Sequence, residues 1–160
     1  MGNIYINGNL DSLKKSVIDE LEAIFDMQID GNDFIPVELT GAIARISSKI
    51  NREIAVFIDR KGNIVELSVG DSNTVELPEV KGRRDKSRLS GIRCIHTHPN
   101  GMGMVSLVDL NSMLKLRLDA MAAVGVTDGN ITEIYVAIPQ RSEGNEFDKS
   151  QVYGPFKLHD

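Results

Sequence analysis

The chain has 160 residues, 41% of them hydrophobic and 26% charged, with a net charge of −5; that is the make-up of one soluble globular domain, which buries roughly 70% of its unfolded surface. One cysteine excludes an intrachain disulfide framework and a Cys-rich zinc knuckle. The sequence has no apolar run of the ~18 residues that a membrane span needs, no secretory signal in MGNIYINGNLDSLKK, and Ile6 where a myristoylation signal carries Ser or Thr, so a cytoplasmic, reducing setting with no membrane partner is expected.

Leu10, Leu13, Val17, Leu21, Ile24 and Phe25 recur at steps of three and four. This predicts an amphipathic helix over 10–26, capped by Asn9 or Asp11. Pro36 opens a second helix over 36–50, with Val37, Leu39, Ile43, Ile46 and Ile50 on its apolar side. EIAVFID, the turn DRKG and NIVELSVG then read as a β-hairpin, and IRCIHTH as a third strand. The stretch 106–124 reads as a helix through Leu110, Met113, Leu114, Leu116, Leu118, Met121 and Val124. Asp128-Gly129 turns the chain into ITEIYVAIP, read as the last strand, and the polar residues after Pro139 read as a connector. The expected architecture is α+β or α/β, a sheet of four or more strands against helices.

Charge is uneven along the chain. Residues 81–93 hold Lys81, Arg83, Arg84, Lys86, Arg88 and Arg93 against Asp85, a net of +5 that leaves −10 for the rest. A solvated surface loop and an anion or RNA contact are both open readings. No aromatic residue lies in the segment to stack a base.

The chemistry-bearing stretch is HTHPNGMGMVSLVD. Residues two apart on a strand share a face, so the imidazoles of His96 and His98 converge. Pro99, Gly101 and Gly103 then let the chain turn, and a helix from Ser106 brings Asp109 back in its first turn. Two imidazoles and a carboxylate form a three-ligand set for Zn²⁺ with a fourth position open, the arrangement of catalytic zinc. Plainer readings stand beside this one. An H-x-H on a strand is commonly structural, and Ser106-x-x-Asp109 is a capping box. Cys94, on the same strand face, reads as a buried small hydrophobe or a supplementary ligand. His159 falls in the tail and reads as exposed.

The spacing H-x-H-x7-S-x2-D resembles the signature of the JAMM/MPN metalloproteases, without a gap. The turn H-x-H-P-N-G resembles the bacterial RadC-like branch. The runs INREIAVFIDRKG, VGDSNTVELPEV, GRRDKSRLSGIRCIHTHPNG and LRLDAMAAVGV look most like the N-terminal region of long-form HflX-type GTPases. The resemblance implies a JAMM/MPN, cytidine-deaminase-like mixed sheet packed against helices over 35–139, a helical extension over 1–34, and a tail or linker over 140–160. It implies His96, His98 and Asp109 as Zn²⁺ ligands, Glu53 as general acid/base and Ser106 as oxyanion donor, for hydrolysis of an amide or isopeptide bond in a peptide or protein. Zinc deamination needs a P-C-x-x-C that one cysteine cannot supply. The GTPase motifs GK[ST] and NKxD are absent from these residues, so either a GTPase domain lies in a longer parent chain or the chain is a stand-alone relative. The implied alternative is a non-hydrolytic regulatory or ribosome-docking module, with 81–93 touching the RNA; a metal-free structural domain is a third reading.

Overall fold

The computed structural model describes residues 6–30, 32–71, 91–140 and 149–156. These form an α+β fold in which one mixed sheet carries helices on both faces. In chain order the elements are β1 (Ile6–Gly8), α1 (Lys15–Phe25), α2 (Val37–Ile50), β2 (Ile54–Asp59), β3 (Ile64–Val69), β4 (Ile92–His98), α3 (Leu107–Leu116), β5 (Ala120–Thr127), β6 (Asn130–Gln140) and β7 (Lys149–Phe156). The sheet order is β1-β3-β2-β4-β5-β6-β7. The β2–β3 hairpin is antiparallel, β2 also pairs antiparallel with β4, and β4 and β5 run parallel. Parallel neighbours need a crossover connection, which here contains α3.

Strand alternation sorts the core into two halves. Ile54, Val56, Ile58, Ile95, Val124 and Ile134 pack with Val17, Leu21, Ile24 of α1 and Leu39, Ile43, Ile46 of α2. Ala55, Phe57, Cys94, Met121, Ala123 and Ala137 point to the other face, where Met113 of α3 and Leu118 cover them. Every residue of β4 is buried, as expected for a central strand covered on both sides.

Several elements depart from the sequence expectations. Helix α1 starts at Lys15, with Lys14 as its N-cap and no side-chain cap. Asn9 instead accepts the Asp11 N–H in a local turn, a competing use of the side chain that such residues favour. Leu10 and Leu13 still pack on the core, but from the loop before the helix. Val37 lies at the first turn of α2 and is 63% exposed. The helix expected over 106–124 ends at Leu116. Arg117 is left-handed (φ 59°), and the N–H groups of Arg117 and Leu118 close on Leu114 and Met113 carbonyls. The following AMAAVGVT is a fully apolar run without period, which a buried strand satisfies as well as a helix does; it forms β5 against β4. The residues read as a connector contain β7, paired with β6. Strand β1, unmarked by any clear periodicity over three residues, pairs parallel with β3.

Arg93 leaves the expected exposed basic segment. It sits in β4, 8% exposed, and its guanidinium donates to the carbonyls of Asp33 and Phe34 at 2.8 and 3.0 Å. Residues 81–90 of that segment, and His159, lie outside the described residues. No described helix is long and apolar enough to cross a membrane.

The loop after β4 lies against β5 and β6 at three glycines. A Cβ on Gly125 would stand 2.5 Å from the Gly101 carbonyl oxygen and 2.8 Å from the Gly103 nitrogen. The loop is tied by Thr132 Oγ1 donating to Gly101 O (2.7 Å) and by Gly103 N donating to Glu133 Oε1 (2.7 Å). Gly125→Ala must push this loop off the sheet. We expect it to destabilise the fold by about 1–3 kcal/mol, read as a lower urea midpoint at unchanged slope; an unchanged midpoint would contradict the packing described.

Candidate metal centre

The side chains singled out by the H-x-H-x7-S-x2-D spacing meet on the α3 face of the sheet. His96 lies opposite Ala55 in the antiparallel ladder. Glu53, two residues before Ala55, therefore falls opposite His98, two residues after His96. The same parity sends Glu53, His96 and His98 to one face. The loop 99–105 then returns the chain so that α3 opens beside them.

The opening of α3 is a capping box. Ser106 Oγ accepts the Asp109 N–H at 3.1 Å, and Asp109 Oδ2 accepts the Ser106 N–H at 3.0 Å. That same Oδ2 lies 3.2 Å from His96 Nε2 and 3.7 Å from His98 Nε2. The capping reading and the ligand reading are thus both realised by one carboxylate: the cap fixes its rotamer, and the rotamer aims it at the histidines.

The two Nε2 atoms are 3.0 Å apart. The three donor atoms are therefore separated by 3.0, 3.2 and 3.7 Å. Ligand atoms around a tetrahedral zinc, with bonds of about 2.0–2.1 Å, are separated by about 3.3–3.4 Å. The three residues together could hold a metal ion, and their donor set of two imidazoles and one carboxylate suits Zn²⁺. His98 is oriented by the Met102 carbonyl, which accepts from Nδ1 at 2.7 Å and so leaves the Nε2 lone pair facing inward.

The electrostatics reflect this crowding. Burial opposes a charge on His96, but the hydrogen bond to Asp109 and the nearby Cys94 outweigh it and push the imidazole up to about 10. Burial likewise opposes ionisation of Asp109, yet His96 and the Ser106 N–H hold it well below the usual carboxylate range. Burial and the His96 charge both push His98 down. Two imidazole nitrogens at 3.0 Å need a proton or a cation between them, and these directions assign the proton to His96.

Glu53 is 7% exposed, with its Oε1 3.9 Å from His98 Nε2. Burial raises its carboxyl to about 7, against the pull of the His96 charge. Among the described residues no donor hydrogen-bonds it. Its neighbour Arg52 is engaged elsewhere, donating to the carbonyls of Asn9 (2.9 Å) and Asp11 (2.6 Å). Cys94 is buried beneath the site, where desolvation raises its thiol; it is not among the three residues whose ligand atoms cluster.

The sequence pointed to the histidines, Asp109, Ser106, Glu53 and Cys94, but not to the Met102 carbonyl behind His98 nor to what holds the strands from the opposite face. Thr97, between the two histidines, faces α2. Its Oγ1 accepts the Ile54 N–H (3.0 Å) and donates to Ser47 Oγ (2.8 Å), which donates to the Arg52 carbonyl (2.7 Å). This buried relay grips the backbone on both sides of Glu53 and locks it to the strand bearing the histidines. Alternation alone would have placed Thr97 on the helix face; its partners come from residues 43 and 50 positions away, which no local pattern reveals.

The chain has no match among protein-family models, curated proteins or solved structures.

Two outcomes follow. Thr97→Val leaves the Ile54 N–H and the Ser47 hydroxyl without their partner in the core. It should cost about 1–3 kcal/mol in chemical denaturation, with Thr97→Ser recovering most of it; a neutral Val variant would contradict the relay. A cation at the centre must also displace the proton raised to about 10 on His96. Below that pH, zinc affinity measured by chelator competition should therefore rise by up to about tenfold per pH unit, and a flat profile between neutral and alkaline pH would show that no such proton is displaced.

Proposed function

We propose that this chain is a zinc-dependent metallohydrolase domain of the JAMM/MPN type, cleaving an amide or isopeptide bond in a peptide or protein. One observation carries the reading. A buried carboxyl, Glu53, stands beside the convergent His96, His98 and Asp109 without being one of them. A domain that only stored or was braced by a metal has no use for a second, desolvated carboxyl beside the three ligands, and burying a carboxyl without a hydrogen bond costs free energy.

His96, His98 and Asp109 would hold the ion. Zn²⁺ bound there supplies Lewis-acid polarisation and lowers the pKa of water. Burial raises the Glu53 carboxyl, which would serve as a general base and then as a general acid. Its carboxylate takes a proton from the attacking water as the C–O bond forms, and returns it to the amine nitrogen as the C–N bond breaks. Ser106 uses its oxygen as an acceptor in the cap, which leaves its O–H proton to donate to the developing oxyanion. The resemblance to HflX-type N-terminal regions adds a GTPase domain in a longer parent chain to this proposal.

The test is a peptide library incubated with zinc-loaded protein and read by mass spectrometry. Glu53→Gln should keep zinc and the fold, because amide and carboxyl share shape, while hydrolysis drops by about 100-fold or more. Cleavage that persists in the Gln variant would remove Glu53 from the chemistry. An absence of any zinc-dependent cleavage by the parent protein would favour a non-hydrolytic module.

A further inference from the structure

The two histidines are not equally supported. His98 donates its Nδ1–H to the Met102 carbonyl at 2.7 Å. His96 is 1% exposed, and its Nδ1 has no hydrogen-bond partner. An imidazole whose Nε2 lone pair binds a metal must carry its proton on Nδ1, and that N–H ordinarily finds an acceptor that fixes tautomer and ring orientation. A buried N–H left without one is costly.

Cys94 lies two residues earlier on β4, so its side chain shares the face of His96. It too is 1% exposed. Residues two apart on a strand stand side by side, so sulfur is the neighbouring acceptor on this face, although no hydrogen bond to Nδ1 is formed in this structure. Around it lie Phe57, Met113 and Met121. A carboxylate or amide in that apolar cluster would be expensive, whereas sulfur is a weak acceptor that an apolar core tolerates.

We propose that Cys94 is the positioning residue for His96, its sulfur taking the Nδ1–H hydrogen bond that holds the Nε2 lone pair toward the metal position. This rests on the zinc-centre reading above, though not on hydrolysis. Sulfur serves here as an acceptor from the ring and stays off the metal.

The experiment measures zinc dissociation constants, by chelator competition, for the parent protein, Cys94→Ser and Cys94→Val. Serine keeps an acceptor, and valine fills the volume without one. The Val variant should bind zinc about tenfold or more weakly, and the Ser variant should stay close to the parent. Equal affinities in all three, or equal losses in both variants, would overturn the role and leave Cys94 as packing. Should the Val variant not fold, ¹⁵N-detected NMR of the zinc-loaded parent decides: a protonated Nδ1 on His96 in a hydrogen bond supports the proposal, and a proton on its Nε2 refutes it. A thiolate charge-transfer band in the cobalt-substituted parent would place sulfur on the metal and overturn it as well. A parent protein that binds no zinc ends both this role and the proposed function; zinc binding without hydrolysis ends only the latter.

Discussion

Three electron-rich atoms, two imidazole nitrogens and a carboxylate oxygen, are held within 3.0–3.7 Å of one another at the end of a central strand. Lone pairs so close repel, and burial removes the water that would screen them. The arrangement persists only with positive charge among them, as a proton on His96 or as a metal ion. Most of the local architecture serves to keep those three atoms together despite the repulsion.

Three separate devices do so. The antiparallel register of β2 and β4 sets Glu53 opposite His98, and the Thr97–Ser47 relay fixes that register from the opposite face. The glycines of the loop let it lie against β5 and β6, so that Met102 reaches back to His98. The capping box then spends one oxygen of Asp109 on both the helix start and the histidines. Each device rests on hydrogen bonds or close packing, which is how side chains are held to the tolerance that metal chemistry requires.

The candidate centre was more legible in the sequence than the fold around it. Period-two alternation was enough to pair His96 with His98, and a fixed offset placed Asp109 in a first helical turn. Both are short-range rules. The placement of Glu53 at the rim depended on the resemblance, because pairing between strands is not written locally. Elements failed where the signal was ambiguous. AMAAVGVT is apolar throughout, so it carries neither helical nor strand period, and its fate is decided by the vacancy beside β4 in the sheet. Arg93 looked like part of a basic surface run, yet strand parity buries it and the Asp33–Phe34 carbonyls satisfy it. The stretch after Pro139 hid β7, whose exposed Val152, Tyr153 and Phe156 are interrupted by Gly154-Pro155, a pair that reads as a turn.

The chemistry of this site turns on the metal. Its most direct measurement is elemental analysis of protein purified without chelators, beside His96→Ala and Asp109→Asn purified in parallel. About one zinc per chain is expected in the parent, with a large loss in both variants. Metal below about 0.1 per chain in the parent, with no thermal stabilisation on adding zinc, would contradict it.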